Sequence, residues 1–109
     1  MRQQKGTEMA DKQHFLFMIH PIRGQAFFDD MRPEEEAAMS THFEYLKQAL
    51  AEGMLLMAGP CLDETFGMGV IRVDSEEAAR EFMRNDPSVK ANVQRLELHP
   101  LKLSLWAGK

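Results

Sequence analysis

The sequence predicts a single α+β domain whose elements follow the order β-α-β-β-α-β. Four short apolar segments, residues 14–21, 54–62, 66–73 and 93–107, have the length and composition of strands. Residues 33–53 and 74–85 instead place apolar side chains at helical spacing. The chain of 109 residues has the length of one domain, and no internal repeat divides it further.

The first strand is predicted over residues 14–21, "HFLFMIHP", which are rich in aromatic and branched side chains and end at Pro21. Residues 22–31 are predicted to form a loop that exposes two phenylalanines. The first helix is predicted to begin near Pro33, because three glutamates follow it at the positive end of the helix dipole. Arg32 then occupies the capping position, where a small polar residue is more usual.

The middle of the chain is predicted to form a hairpin. The first helix ends at Gly53, a favourable left-handed stop. The second strand, 54–62, is expected to be broken by Gly59-Pro60, and the turn "DET" joins it to the third strand, 66–73. The second helix, 74–85, is capped by Asp74 or Ser75 and buries Ala79, Phe82 and Met83. A helical turn at 86–92 and a last strand at 93–107, bent at Pro100, complete the chain.

This order is that of a ferredoxin-like fold, in which an antiparallel sheet carries both helices on one face. The first three predicted strands are apolar on both faces, and the chain has no further element to cover the second face. A second copy of the same sheet would cover it. We therefore predict a homodimer that packs sheet face against sheet face.

Composition excludes several classes of function. The net charge is −4 and no basic cluster exceeds two adjacent residues, so we expect no nucleic-acid partner. No apolar run approaches the roughly 20 residues of a membrane span. Residues 1–12 are read as a flexible polar lead-in without a signal-peptide core, preceding a domain over 13–109. The single cysteine, Cys61, fits a reducing compartment, and a cytoplasmic location is expected.

One histidine is out of place on the first helix. His42 lies within a stripe that is otherwise apolar and consists of Met39, Phe43, Leu46, Ala49 and Leu50. One interpretation is a core histidine whose nitrogens bond to neighbouring groups. The other is a general acid or base, since imidazole titrates near neutral pH.

Asp86 continues the inner stripe of the second helix and stands at the unfavourable end of that helix dipole. Local compensation would come from capping the following turn, because Asp86-Pro87 is a good cap and first-turn pair. Functional compensation would come from His42, because a carboxylate bonded to one imidazole nitrogen orients the ring and raises the basicity of the other nitrogen. The cap is the simpler single role, and the two roles are compatible.

The remaining candidate positions have simple structural explanations. Gly59 and Pro60 mark a bulge or strand end, or a place where a small ligand approaches the backbone. Cys61 has no basic sequence neighbour and is expected to pack rather than act as a nucleophile. Arg23 is either a solvated loop residue or an attractor for an anionic substrate. His14, His20 and His99 lack metal-ligand spacing, and no cofactor-binding fingerprint is present, so neither a metal nor a cofactor is expected.

Three sequence markers together resemble the YCII-related proteins. They are "HFEYL" from residue 42, "GMLLMAGP" from residue 53, and "SEEAAREFMRNDP" from residue 75. The resemblance covers about His14 to Trp106. It implies a dimeric α+β barrel and a paired histidine and aspartate in a pocket, which correspond here to His42 and Asp86.

The resemblance also implies a class of chemistry. A relative is a dehydrochlorinase acting on a chlorinated hydroxyhydroquinone, and muconolactone isomerases share the barrel. Both indicate cofactor-free proton transfer on a small ring compound, with Gly59 and Pro60 shaping the pocket wall. The alternative is a non-catalytic domain that binds a small molecule and holds His42 and Asp86 as a structural pair. Tight binding of a ligand that stays unchanged after long incubation would favour the binding domain, because only an enzyme changes what it binds.

Overall fold

The computed structural model describes residues 12–107, in which a four-stranded antiparallel sheet supports helices on one face. The strands are β1 (Gln13–Pro21), β2 (Leu55–Pro60), β3 (Gly67–Val73) and β4 (Gln94–Leu101). The helices are α1 (Gln25–Asp29), α2 (Pro33–Ala51), α3 (Glu76–Arg84) and α4 (Pro87–Lys90). The strand order is β2-β3-β1-β4, which confirms the predicted ferredoxin-like topology.

The core lies between the sheet and the two long helices. Alternate residues of β1 point toward the helices, and their antiparallel partners on β3 lie on the same face. The buried cluster comprises Phe15, Phe17, Ile19, Leu46, Ala49, Leu55, Ile71, Val73, Ala79, Phe82 and Met83. The inner stripe predicted for the second helix is therefore confirmed.

Close packing between β1 and β3 depends on a glycine. Phe17 and Gly69 are cross-strand partners, and the Phe17 ring occupies the space where a side chain at position 69 would begin. A Cβ atom at Gly69 would overlap that ring and would also lie 2.9 Å from the carbonyl oxygen of Met57. Any larger residue must displace a fully buried aromatic side chain.

The first turn of α2 is organised by an ion pair. Glu35 accepts a hydrogen bond from the backbone nitrogen of Arg32 at 2.8 Å, so the helix start is capped from within the helix. Arg23 donates to both carboxylate oxygens of Glu35, at 2.7 and 2.9 Å. These bonds, the arginine's first, lower the pKa of Glu35 from 4.5 to about 2. This explains why an arginine is tolerated at the capping position.

Three elements differ from the sequence-based expectation. Residues 25–29 form a helix rather than a loop, and Phe27 is buried at 4% exposure. β2 continues through Gly59 and ends at Pro60, while its irregularity lies between Leu55 and Met57. β4 ends at Leu101, just after Pro100, instead of continuing to residue 107. Proline lacks an amide proton, and on this edge strand it is followed by only one further paired residue.

The predicted lead-in, residues 1–12, lies outside the described residues except for Lys12, which pairs with Asp74 at 2.8 Å. Within residues 12–107, no helix combines the length and the apolar character that a membrane crossing requires.

Candidate functional site

The structure brings His42 and Asp86 together, although 44 positions separate them in the sequence. α2 presents His42 toward α4, where His42 Nδ1 lies 2.7 Å from Asp86 Oδ2. His42 is 6% exposed and Asp86 is fully buried. Because a carboxylate only accepts hydrogen bonds, Nδ1 carries the proton and donates it to Asp86. The lone pair of the neutral ring is then on Nε2.

Asp86 also caps α4, so one side chain makes both the helix cap and the contact with His42. Its second oxygen, Oδ1, accepts from the backbone nitrogen of Ser88 at 2.8 Å and from Ser88 Oγ at 2.8 Å. Ser88 is fully buried as well. Three donors thus hold the carboxylate, two from Ser88 and one from His42, and its orientation is set by the local turn rather than by the histidine alone.

Tyr45 lies one helical turn beyond His42 and closes this side of the site. Its hydroxyl donates to the carbonyl oxygen of Phe82 at 2.7 Å, and its ring stacks on the Phe82 ring at 4.9 Å. Burial, with a further contribution from the Asp86 carboxylate, raises the pKa of Tyr45 from 10.0 to about 12. The phenol therefore stays neutral and ties α2 to α3 beside the buried carboxylate.

His42 lines a cavity of about 760 Å³ between α2 and the sheet. That volume suits a small organic ligand. The wall is mainly apolar and includes Phe17, Ile19, Phe27, Phe28, Met39, Phe43, Leu46, Leu55, Met57, Phe66 and Met68. The polar side chains that line it are His42, Lys47, Cys61 and Gln94, and no carboxylate of residues 12–107 reaches it. Asp86 lies behind the histidine, out of the cavity.

The positions proposed for ligand binding separate into two groups. Gly59 and Pro60 line the cavity, and a Cβ at Gly59 would meet no atom within 4 Å. Cys61, beside them, also contributes to the wall. Arg23 is not brought to the cavity, because its guanidinium is paired with Glu35 at the start of α2. The alternative of a solvated loop arginine does not describe it either.

Two polar residues of this region were not predicted from the sequence as parts of the site. Ser88 follows the capping Asp86 by two positions, and a hydroxyl there was a detectable signal for a second bond to the carboxylate. Gln94 stands two residues before Leu96 and four before Leu98, whose side chains pack on the core, so strand alternation places it on the inner face. No group of three or more acidic, histidine or cysteine side chains in residues 12–107 is arranged to hold a metal ion.

Comparisons with known proteins agree with this architecture. The model of the YCII-related domain matches residues 14–102. The uncharacterized protein YjpA of Bacillus subtilis (strain 168) is 37% identical over 75 residues, which span 67% of this chain and 88% of that protein.

Two of the solved structures that match this chain illustrate the shared fold. One is the 5-chloro-2-hydroxyhydroquinone dehydrochlorinase TftG of Burkholderia phenoliruptrix AC1100, in complex with 2,5-dihydroxybenzoquinone. It matches with a TM-score of 0.60 and 22% identity, covering 82% of this chain and 93% of the enzyme. The other is a proposed antibiotic biosynthesis monooxygenase of Bacteroides thetaiotaomicron VPI-5482. Its TM-score is 0.55 at 14% identity, over 93% of this chain and 97% of that one. At these identities the likeness concerns the fold.

Proposed function

This chain belongs to the YCII-related domain family, and we propose that it is an enzyme that transfers protons on a small ring compound. In this proposal His42 is the general acid and base, and Asp86 is its positioning partner. The observation that carries the proposal is the 2.7 Å bond between Nδ1 of His42 and the buried carboxylate, made at the wall of an apolar cavity. That bond leaves Nε2 as the basic nitrogen.

The proposed chemistry requires only groups of the protein and the substrate. Nε2 of His42 takes a proton from a carbon or hydroxyl of the substrate, and the electrons of that bond form a new double bond. In a lyase reaction a leaving group such as chloride departs with its bonding pair. In an isomerase reaction the imidazolium returns the proton to a different atom. The Asp86 carboxylate stabilises the imidazolium in both cases.

The substrate class follows from the wall of the cavity. A volume of about 760 Å³ with several aromatic residues in its wall favours a flat molecule of one or two rings. Gly59 and Pro60 would form part of its binding surface, since both line the cavity. The quinone bound to the dehydrochlorinase of similar fold is a flat molecule of one ring, and we use it as a guide for probes.

We further propose that two copies associate through their sheets, as in a dimeric barrel. The face of β1 and β3 opposite the helices carries Leu16, Met18, Met68 and Val70, which alternate with the core residues of the same strands. Leu16→Glu is expected to give a monomer by size-exclusion chromatography with light scattering. Leu62→Glu, at a loop position that is 95% exposed, is the matched control and should leave the mass unchanged.

The proposal is tested by incubating the protein with 5-chloro-2-hydroxyhydroquinone under nitrogen and measuring chloride release. We expect His42→Gln to lower the rate by about 10²–10⁴-fold. His99→Gln, at an exposed histidine on β4, is the matched control and should keep the native rate. Muconolactone, followed by its ultraviolet spectrum, tests the isomerase reaction in the same way. Undiminished turnover in His42→Gln would refute the assigned role.

A non-catalytic binding domain is the alternative function. It is favoured by the complete hydrogen bonding of Asp86, since a purely structural pair would be satisfied in the same way. Its sign would be binding of 2,5-dihydroxybenzoquinone to the native protein, with neither probe substrate converted. The single cysteine is consistent with the cytoplasmic location that we propose for either function.

A further inference from the structure

Gln94 is the one buried amide in the wall of the cavity, within the part of the chain that the structure describes. It is 3% exposed and begins β4, opposite Pro21 on β1. Its Nε2 lies 2.9 Å from Met39 Sδ. A thioether sulfur is a weak acceptor. Its side chain makes no other hydrogen bond to residues 12–107, so Oε1 and the second amide hydrogen are without a protein partner there.

The incompletely paired amide of Gln94 is unfavourable for the stability of the folded protein without a ligand. Buried polar groups are normally hydrogen-bonded, and an unsatisfied amide loses stability relative to an apolar side chain of the same shape. A methionine or leucine at this position would fill the same space among Met39, Pro21 and the neighbouring wall. The amide therefore needs an explanation outside the packing of the domain, and the cavity beside it supplies one.

We propose that Gln94 binds an oxygen substituent of the ring compound that occupies this cavity. The inference rests on the proposed function, since it concerns the ligand of the same site. A primary amide presents a donor and an acceptor side by side. It can donate to a ring carbonyl and accept from a ring hydroxyl, so it can hold the same oxygen before and after a proton leaves it. The ligand class is thus a hydroxylated or quinone-type ring rather than a hydrocarbon.

Gln94 is accordingly a positioning and specificity residue, while His42 remains the group that exchanges the proton. Both line the same cavity, and Met39, which contacts the amide, precedes His42 by three positions on α2. Residues three apart on a helix share a face. A ring held by its oxygen at Gln94 would therefore lie on the side of the cavity where the histidine is.

The test compares two ring compounds of the same shape, hydroquinone and p-xylene. Binding is measured by titration while the methyl signal of Met39, which contacts Gln94, reports occupancy of the cavity by NMR. We expect the native protein to bind hydroquinone more tightly than p-xylene. Gln94→Met should weaken hydroquinone binding by about tenfold, the effect of about one hydrogen bond, and leave p-xylene binding unchanged.

Thermal unfolding supplies the readout that separates this role from a structural one. Removing an unsatisfied buried amide should keep or raise the melting temperature of Gln94→Met, whereas removing a structural hydrogen bond would lower it. Gln48→Met, at an exposed position on α2, is the matched control for the substitution. Gln94→Leu is made in parallel, and p-xylene binding reports whether each variant has folded around its cavity.

Any of three results would overturn the inference. The native protein could bind hydroquinone no more tightly than p-xylene. Gln94→Met could lose the same affinity for both rings, or lose no affinity for hydroquinone. The experiment measures binding alone and uses His42→Gln as a background in which the same preference should persist. Failure to convert any substrate would therefore refute the proposed function and leave the assignment of Gln94 standing.

Discussion

Asp86→Asn should move the proton of His42 from Nδ1 to Nε2. In the native protein Oδ1 of Asp86 accepts two hydrogen bonds from Ser88, one from the backbone nitrogen, while Oδ2 accepts one from His42. An asparagine has one acceptor oxygen. The two donors of Ser88 require that oxygen, so the NH₂ group turns toward the imidazole. Nδ1 must then accept, and the ring proton moves to the nitrogen that was the base.

The size of the effect follows from the free-energy cost of the opposite amide orientation. Turning the NH₂ group toward Ser88 would leave its buried backbone N–H without an acceptor, at a cost of roughly 1–3 kcal/mol. That difference corresponds to about a 5–150-fold preference for the orientation that inverts the histidine. The fold should be retained, because asparagine is as good a cap as aspartate. Activity that depends on Nε2 as a base should fall by about 10²–10⁴-fold.

Long-range proton–nitrogen NMR correlation of the His42 ring identifies the protonated nitrogen without a substrate. Ser88→Ala is the control. It removes the hydroxyl donor and keeps the backbone donor, so it should retain the native tautomer. A protonated Nδ1 in Asp86→Asn would refute the reasoning, because the amide oxygen would then accept from the histidine rather than from Ser88.

Three further predictions concern stability. Gly69→Ala should destabilise the protein by roughly 1–3 kcal/mol in urea unfolding because its Cβ would overlap a core aromatic ring. Gly59→Ala, with open space around its Cβ, should cost less than about 1 kcal/mol. Equal losses of stability in the two variants would contradict this prediction. The pKa of Tyr45 is raised to about 12, so the free energy of unfolding of the native protein should fall as the pH rises from 10 to 12. A Tyr45→Phe variant that loses the same stability over this pH range would contradict this prediction. The pKa of Glu35, lowered by Arg23 to about 2, means that stability present above pH 4.5 should be lost as the pH falls toward 2. Acid titrations of unfolding should show a weaker dependence in Glu35→Gln, and an unchanged slope would count against the ion pair.

Features that depend on local sequence were predicted well. The order of the strands and long helices follows from periodicity and turn residues, and hydrophobic burial acts on those patterns wherever the chain folds. The position of His42 on an apolar helical stripe is a matter of spacing along one helix. The capping role of Asp86 is equally local, because the cap bonds to a backbone nitrogen two residues away.

The predictions that were wrong depend on interactions between segments. Phe27 was expected to be exposed, yet it is buried against Ala38 and Val93, which lie far from it in the sequence. β2 was expected to extend over residues 54–62 with a break at Gly59-Pro60, but both residues pair regularly with β3 and the strand ends at Pro60. Cross-strand hydrogen bonds outweigh the weak strand preference of a single glycine.

The site as a whole belongs to the tertiary structure. The sequence by itself determined that a histidine and an aspartate occupy inner positions on separate elements, since that is a property of each element's own periodicity. Only the packing of α2 against α4 decided that their side chains meet at 2.7 Å. The turn after β1 lies against the start of α2 and pairs Arg23 with Glu35, and the start of β4 places Gln94 in the wall of the cavity. Side-chain partners over such separations depend on the mutual placement of whole elements, and no local pattern encodes that placement.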